Sequence, residues 1–490
     1  MPDFGFVGPS YEAPSIYQDA QESINFFCEI DPVKQPGSRG VVAMYPTPGL
    51  QLRVQLPTSE PVRGMRALSG LQYLIVVCGA TVYSVDQAMT ATSIGTLTTS
   101  TGPVSITDNV MDTEGLTAYI VDGKNRYFYV VSTNTFTQLP ASDGPWIGAD
   151  VCDVVDNYII YNQPGTQAWA CTDLGSPYST QALYGVKDGS PDSLVSLLVD
   201  RRQVYLMGEV TTETWTDVGN VIAGITTFPF QRVPGTSMQS GCGAPFSVAR
   251  FGDSFMLVAR DTRGDATIEM IVGYQYKKIS THAVEQSLTN QITTDAIAYT
   301  YQIEGHEMYV VTFPSIGNGL TWVYDLSTGL WHKWLSWNGT NYTRHRSNCG
   351  AYFAGMYLVG DYENGKVYSI ENAVYTEDGS LIRRLRRAPH ITSDLQRQYF
   401  ESFQIQFQPG VGLPTGQGDD PQAMLRWSND GGSTWSNEHW VTIGKIGAYA
   451  NRALWRRLGW SRDRIFEVVV TDPVKAVIVS AELKASAGEN

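Results

Sequence analysis

Arginine side chains cluster in the last quarter of this sequence, where they could form charged contacts. The chain holds 24 arginines against 10 lysines, and the planar guanidinium grips carboxylates and phosphates in a forked geometry that lysine lacks. Tryptophan alternates with arginine in one of two groups, a mixture typical of interface anchors. The alternative is a strand whose exposed face is lined with arginine. We expect an interface with a partner at the following residues: Arg383, Arg384, Arg386, Arg387, Arg452, Trp455, Arg456 and Arg457.

A second motif lies between the two arginine groups. Ser428–Trp435, SNDGGSTW, fits the S-x-D-x-G-x-T-W pattern of an Asp box. In this motif the aspartate, here Asp430, accepts backbone hydrogen bonds in a tight hairpin turn, and the tryptophan, here Trp435, packs beneath it. The motif stabilises a turn and performs no catalysis. Sialidases carry several copies with three arginines and a tyrosine nucleophile, so one copy leaves a propeller glycosidase only as an alternative function.

Other catalytic and cofactor motifs are missing from the sequence. It has no phosphate-binding loop, no H-E-x-x-H zinc motif and no G-x-S-x-G nucleophile turn. Its six histidines and six cysteines are scattered, without a spacing that would bind a metal. We expect no enzyme activity, cofactor or metal, and we expect reduced, buried thiols in a protein made in a cytosol.

No targeting or membrane segment is expected. The N-terminus lacks a basic region followed by an apolar run, which argues against a signal peptide. The uncharged stretch Ala67–Val85 is interrupted at Cys78-Gly79, so it fits two strands better than a membrane-spanning helix.

Charge is divided unevenly along the chain. The net charge of −14 argues against a generally basic nucleic-acid binder. Residues 381–490 hold 14 Lys and Arg against 11 Asp and Glu, a net charge of +3, whereas the first 380 residues hold 20 against 37, a net charge of −17. The division predicts self-association or docking onto an acidic partner; the alternative is that both are solvated surfaces.

A two-strand pattern recurs along the middle of the chain at roughly 40–50 residues, the period of a four-stranded propeller blade. Each copy is an apolar run, a turn containing Gly, Asn or Asp, and a second apolar or aromatic run, which predicts a β-hairpin. An ordinary β-sandwich would lack the longer period. We therefore predict an all-β chain with a β-propeller of six or seven blades. The copies are 71–86, 118–131, 157–174, 203–218, 254–274, 307–334 and 355–370.

Two regions fall outside the repeat and define the predicted domains. Residues 1–62 carry proline and glycine around short extended pieces, which predicts an N-terminal strap whose strands pair elsewhere in the chain or with a neighbour. Residues 63–375 are predicted to form the propeller. Residues 376–490 contain long strands of alternating polarity, such as Phe400–Pro409, and are predicted to form a C-terminal antiparallel β-sandwich-like domain.

Several segments, taken in order, resemble a known family. They are Asn25–Ile30 (NFFCEI), Tyr45–Leu50 (YPTPGL), Tyr178–Trp215 and the ending Leu454–Val470. The stretch Tyr178–Trp215 includes the loop Lys187–Leu194 and the strand Val204–Gly208, which is followed by Glu213-Thr214-Trp215. In this order they resemble the tail hub or nozzle proteins of short-tailed bacteriophages, also called packaged-DNA stabilisation proteins. The acidic insertion Gly416–Pro421 departs from that family.

The resemblance implies a structural protein of the virion that is assembled in the host cytoplasm. Such proteins form a ring, usually of six copies, below the portal and its adaptor. The ring extends and closes the DNA channel, retains packaged DNA and allows its ejection. The implied partners are other copies of the chain, the adaptor and portal complex, a tail fibre, spike or needle protein, and double-stranded DNA that passes through without sequence-specific binding.

The charge pattern is compatible with these implications. An acidic body repels DNA phosphates and lets the duplex slide, and arginine–carboxylate forks suit contacts between subunits. On this interpretation the closed, toroidal body stands in a stack and conducts the DNA. A propeller that binds glycans or receptors is a further alternative.

Overall fold

The computed structural model describes residues 5–34, 41–219, 221–222, 225–260, 264–394 and 396–488. Regular structure in these residues is almost entirely β-strand, which confirms the predicted fold class. The exceptions are the α-helix His282–Leu288 and the 3-10 turn Pro245–Ser247. The helix begins after Thr281, whose hydroxyl accepts a hydrogen bond from the amide of Val284.

Seven antiparallel sheets follow one another along the chain, and we number them blades 1 to 7. Blade 1 consists of Val62–Ala67, Tyr73–Cys78, Thr81–Asp86 and Ala91–Thr96; blade 2 of Ser105–Met111, Gly115–Val121, Arg126–Val130 and Thr135–Gln138; and blade 3 of Cys152–Val155, Tyr158–Asn162, Ala168–Cys171 and Tyr184–Val186. Blade 4 consists of Leu194–Asp200, Gln203–Gly208, Thr212–Asp217 and Phe230–Arg232.

The remaining blades vary this four-strand plan. Blade 5 has two short inner strands, Gly241–Cys242 and Ala249–Phe251, before Ser254–Arg260, Ala266–Val272 and Gln275–Lys278. Blade 6 consists of Ile297–Ile303, His306–Phe313, Leu320–Asp325 and Leu330–Lys333, and blade 7 begins with Ser347–Phe353, Met356–Asp361 and Lys366–Glu371. Each of the seven hairpins expected from the sequence supplies the middle pair of one blade.

The outer strand of blade 7 comes from the beginning of the chain. Gly49–Gln55 pairs antiparallel with Lys366–Glu371, with Leu50 opposite Ile370. Blade 7 also meets blade 1, where the side-chain amide of Asn348 donates to the carbonyl of Val62 at 2.8 Å. These contacts close the ring of blades, so part of the expected strap is built into the propeller.

A small cavity lies at the centre of the ring. Segments from all seven blades line it, and its volume is about 250 Å³. This is room for roughly eight waters at ~30 Å³ each. A B-DNA duplex, whose major groove alone is ~12 Å wide and ~8.5 Å deep, is too large to fit in a cavity of this volume. The centre of one propeller therefore has no room for a duplex.

The C-terminal part is a β-sandwich of two sheets. In one sheet the first four strands, in order, are Phe26–Ile30, Val42–Pro46, Ile478–Ala487 and Gln398–Phe407. Two short strands, Ala453–Arg456 and Trp460–Ser461, both pair with Gln398–Phe407 and together form the fifth position at the edge of this sheet. In the other the order is Ala20–Ile24, Arg384–Arg387, Asp463–Val470, Gln422–Ser428 and His439–Thr442, with Tyr11–Glu12 and Ile391–Thr392 pairing at its sides. Alternate residues face the interior, where Phe403, Ile405 and Phe466 belong to one buried cluster.

One continuous sheet joins the propeller to the sandwich. Ala20–Ile24 lies between the outer strand of blade 6, where Ile24 is opposite Lys333, and the sandwich strand Arg384–Arg387. Three short hairpins complete the fold: Val221–Ile222 with Ile225–Thr226, Leu335–Trp337 with Tyr342–Arg344, and Thr376–Glu377 with Ser380–Leu381. The strands before residue 56 thus pair within this chain.

Candidate assembly interface

Most of the first arginine group lies inside the joint between the domains. Arg384 and Arg386 are fully buried, and burial lowers the pKa of each to about 10. The guanidinium of Arg386 donates to the carbonyls of Phe6 (2.6 Å) and Pro9 (2.8 Å) and to the side chain of Gln21 (2.7 Å). The N-terminal segment, residues 5–34, therefore supplies the acceptors that make this buried charge tolerable.

Arg384 and Arg383 also serve contacts within the chain. Arg384 donates to the backbone carbonyls of Asp472 (3.3 Å) and Tyr375 (3.2 Å). The half-buried Arg383 places its guanidinium carbon 4.9 Å from the centroid of the Trp337 ring. Because Arg384 and Arg386 have no surface that a second protein could reach, the expectation of an interface at these two residues is corrected.

Arg387 belongs to a network of alternating charges that links three parts of the chain. Its guanidinium lies 2.9 Å from Glu467 and 3.2 Å from Glu22. Glu22 also contacts the ammonium of Lys333 in blade 6, at 2.7 Å. Two further members extend the network: Glu12 beside Lys333 and Arg426 beside Glu467. Sequence reasoning missed this network because its members are scattered along the chain.

The Asp-box turn covers one end of this network. Asp430 accepts hydrogen bonds from the amide of Thr434 (2.8 Å) and from the hydroxyls of Thr434 (2.6 Å) and Ser428 (2.7 Å). These bonds lower the pKa of Asp430 to about 2, and the bond from the Thr434 hydroxyl has the largest effect. The half-buried ring of Trp435 lies over the guanidinium carbons of Arg426 and Arg387, at 4.7 and 5.2 Å. The turn thus holds an aromatic face over paired arginines.

The second arginine group is divided between the interior and the surface. Trp455 is only 4% exposed, and its indole N–H donates to the carbonyl of His439 at 2.8 Å. It anchors the strand edge from inside and cannot meet a partner, which corrects the expectation for this residue. Arg452, Arg456 and Arg457 are exposed, and none of them forms an ion pair with another described residue. These three remain candidates for a contact between proteins.

The loop Lys187–Leu194, singled out in the sequence, locks blade 3 to blade 4. The ammonium of Lys187 is fully buried, pairs with Asp192 and donates to the hydroxyl of Thr211 at 2.7 Å. Asp192 also accepts the amides of Val210 and Thr211, each at 3.0 Å. The carboxylate of Glu213 accepts the amide of Gly189 at 2.7 Å. The polar residues of this segment therefore serve the fold.

The central cavity has part of the composition that a sialidase needs, namely three arginines and a tyrosine, but each is already engaged. Arg63 donates to four backbone carbonyls, those of Gly79, Thr99, Thr101 and Gly102. Arg66 pairs with Asp108 and Arg250 with Asp153, both at 2.9 Å. The Tyr299 hydroxyl donates to Ser347 at 2.8 Å, and burial raises its pKa. Asp153 is the one carboxylate among the residues that line the described cavity, so no pair of carboxylates faces it.

The described residues contain neither a cluster of metal ligands nor a membrane-crossing helix. No three His, Cys, Asp or Glu side chains gather there closely enough to hold a metal ion. No helix in those ranges has the length and apolar character needed to cross a bilayer. All six cysteines are free thiols, and five of them are buried.

Comparison with solved structures adds little to this description. The crystal structure of the N-terminal domain of Nup159 matches with 10% identity and a TM-score of 0.38, over 69% of this chain and 97% of that one. A chain of the mitotic checkpoint complex matches with 11% identity and a TM-score of 0.38, over 70% and 98%. No curated protein sequence matches the chain significantly.

Comparison with protein families is informative across nearly the whole chain. Residues 23–375 match the family described as bacteriophage P22 Gp10, beta-propeller, and residues 383–486 match bacteriophage P22 Gp10, beta-sandwich. The two matches follow the propeller and the sandwich of the structure, and both start near the strands that join the two domains. The chain therefore belongs to the bacteriophage P22 Gp10 family, tail proteins of the virion that stabilise packaged DNA.

Proposed function

We propose that six copies of this chain form a ring that serves as the nozzle of a short phage tail. The ring lies below the portal and its adaptor, extends the DNA channel, retains the packaged genome and opens for ejection. In this role the chain has no catalytic activity and needs no cofactor. Its partners are other copies of itself, the adaptor and portal complex, a fibre, spike or needle protein, and the duplex in the lumen.

The observation that carries this proposal is the size of the central cavity. A protein that stabilises packaged DNA has to enclose or plug the path of a duplex. One propeller offers about 250 Å³, which is too little for a duplex, so the channel has to lie between copies. The joint between propeller and sandwich supports this role, because a shared sheet and a network of largely buried ion pairs favour one orientation of the two domains.

The charge of the chain supports the same arrangement. The first 380 residues carry a net charge of −17, and an acidic wall repels phosphates, so that DNA slides without binding. The exposed arginines of the sandwich then serve contacts between proteins.

Electron microscopy of the purified chain tests the proposal. We expect rings when the chain is mixed with the portal–adaptor complex, and we expect particles that lack the chain to lose their DNA. DNA retention without the chain, or single copies bound to the adaptor with no ring, would contradict it. A fluorogenic sialoside assay provides a separate check, in which no hydrolysis is expected.

A further inference from the structure

A groove follows the seam between blades 6 and 7. Two adjoining lobes of about 580 and 360 Å³ share Gln302, Ile303, Glu304 and Tyr357 in their walls. A smaller recess continues from Glu304 to Phe27 and Tyr45 of the sandwich. Glu304 therefore stands where the three parts of the groove meet.

The walls of the groove combine carboxylates with aromatic rings. They also include two basic side chains: His306, which Asp325 and Glu29 bind, and Lys475 in the smaller recess. Glu304 is exposed and has no ion pair with another described residue, and Glu307 lines the larger lobe beside it. Tyr352 is 48% exposed, and its ring centroid lies 4.9 Å from that of Tyr357. A carboxylate next to tyrosine faces is the environment that binds a guanidinium group.

The same pairing already occurs inside this chain. Arg344 lies 4.3 Å from the ring centroid of Tyr362, and Arg126 lies 4.4 Å from that of Tyr161. The groove thus offers an arginine side chain from outside the contacts that internal arginines find within the fold.

Glu304 occupies a backbone position that disfavours its side chain. Its φ is +45° and that of Gly305 is +91°, so the turn between the first two strands of blade 6 has two left-handed residues. Asn is the usual choice at the first of these positions. A glutamate held there at the surface is consistent with a role for its carboxylate.

The exposed arginines lie on the far edge of the sandwich. Arg456 is on the edge strand Ala453–Arg456, and Arg457 directly follows it. Two exposed aromatic side chains lie close by: Trp460, 51% exposed, on the short strand of the same edge, and Tyr399, 43% exposed, opposite it on the neighbouring strand. Arginine with tryptophan and tyrosine is the composition of binding hot spots.

These two surfaces lie at opposite ends of one sheet. The groove adjoins Phe26–Ile30 and Val42–Pro46, the first two strands, and the arginines lie on the fifth. Four strand spacings of ~4.8 Å place the first and fifth strands about 19 Å apart. Two complementary surfaces at opposite edges of one domain make head-to-tail contacts, which build a ring where the rotation between copies closes and a filament where it does not.

We propose that the arginine edge of one copy, Arg452, Arg456 and Arg457, docks into the groove around Glu304 of the next copy. The inference rests on the proposed ring and identifies the contact that builds it. The acidic groove and the cationic edge are complementary in charge, and the tyrosines supply faces for the guanidinium groups. Neither surface can satisfy the other within one chain.

Charge-reversal variants of the full chain, assembled on the portal–adaptor complex and counted by electron microscopy, test the proposal. We expect Glu304→Arg, and separately Arg456→Glu with Arg457→Glu, to reduce ring formation at least tenfold. Combining all three substitutions in one chain is expected to restore at least half of the rings. Each defective protein cannot pair with itself, but the edge of either one is complementary in charge to the groove of the other. Mixing the two proteins should therefore restore rings in which the two variants alternate.

Matched controls change the same charges elsewhere. Arg201→Glu with Arg202→Glu reverses an exposed arginine pair at the tip of blade 4, and Glu209→Arg reverses an exposed glutamate of the same blade. Both controls are expected to form rings normally, and circular dichroism confirms that every variant is folded.

Three outcomes overturn the proposal. The first is normal ring formation by the variants, and the second is failure of the combined variant to recover. The third is a set of arginine variants that assemble normally but lose affinity for a 30-base-pair duplex, since that edge would then bind nucleic acid. If the unmodified chain forms no ring on the adaptor, the proposed function fails as well.

Discussion

The ammonium of Lys333, on the outer strand of blade 6, lies 2.7 Å from the carboxylate of Glu22 in the N-terminal segment. The side chains of Lys333 and Glu22 are only 10% and 13% exposed. The carboxylate of Glu22 also lies 3.2 Å from the guanidinium of Arg387, which belongs to the sandwich. One carboxylate therefore connects the propeller to the sandwich at the place where Ile24 pairs with Lys333 and joins their sheets.

Lys333→Met is expected to destabilise the protein by about 3 kcal/mol, because removing one partner of a buried ion pair leaves the other charge unpaired. The two glutamates that face Lys333 would then share Arg387 alone. Thermal unfolding followed by calorimetry measures the loss, and limited proteolysis shows whether the two domains separate. An unchanged unfolding temperature would mean that this joint does not depend on the network.

The pair Lys484 and Glu401 provides the matched control. Its two side chains are 73% and 44% exposed and lie 2.6 Å apart. Exposed pairs contribute little to stability because water and salt screen them. Lys484→Met is therefore expected to unfold at nearly the same temperature as the unmodified chain.

His306 and His332, which both face Asp325, are expected to differ in charge at neutral pH. The hydrogen bond to Asp325, at 2.7 Å, raises the pKa of His306 to about 9, with Glu29 adding to it and burial opposing it. Burial lowers the pKa of His332 to about 4. NMR at pH 7 should show a protonated His306 and a neutral His332.

The raised pKa of His306 also predicts a loss of stability at high pH. Its folded pKa of about 9 exceeds the ordinary value of 6.5, so the stabilisation is complete below pH 6.5 and is lost as the pH rises through 9. His306→Asn should therefore unfold at a temperature that changes less between pH 7 and 10. Titration of His306 near pH 6.5 would contradict this assignment.

Local patterns made the blades predictable from the sequence. Each blade is built around a hairpin whose strands and turn are adjacent in the chain, so an apolar run, a glycine turn and a second run are sufficient evidence. The hairpin 307–334 illustrates this, since its strands pair antiparallel, with Val310 opposite Val323.

The joint between the domains was not predictable in the same way. Ile24 pairs with Lys333 and Leu385, residues more than 300 positions away, and no local signal indicates such a partner. The burial of Arg384 and Arg386 was unpredictable for a related reason: apart from the side chain of Gln21, their acceptors are backbone carbonyls, which any sequence contains. Glu304 did leave a signal, since Glu-Gly between two apolar runs predicts a turn, but the tyrosines that share the groove with it come from blade 7.

Asp430→Ala is expected to loosen the Asp-box turn without unfolding the domain. The substitution removes the acceptor for the amide and the hydroxyl of Thr434, so hydrogen exchange at Thr434 should become faster. Asp430→Asn retains one carbonyl oxygen as an acceptor and should show a smaller effect. Global unfolding of the alanine variant would mean that the turn is part of the cooperative core.

Glu377 is a buried carboxyl at the closure of the ring of blades. It lies opposite Leu50 of the closing strand, 3.7 Å from the guanidinium of Arg346 and 3.9 Å from the imidazole of His345. Asp361 and Arg384 also act on it. Burial raises its pKa from 4.5 to about 7, although the two arginines oppose the shift. His345, whose pKa burial lowers to about 3, stays neutral and gives Glu377 no counter-charge.

The raised pKa of Glu377 predicts that Glu377→Gln stabilises the protein increasingly as the pH rises from 5 to 7. The folded state holds the proton up to a pKa of about 7, whereas the unfolded state releases it near 4.5, so ionisation costs stability across this window. The shift corresponds to about 3 kcal/mol as an upper bound. Calorimetry of both proteins at pH 5, 6, 7 and 8 isolates Glu377, because His345 and His306 are the same in both. A constant difference between the two unfolding temperatures over this range would show that Glu377 ionises normally inside the fold.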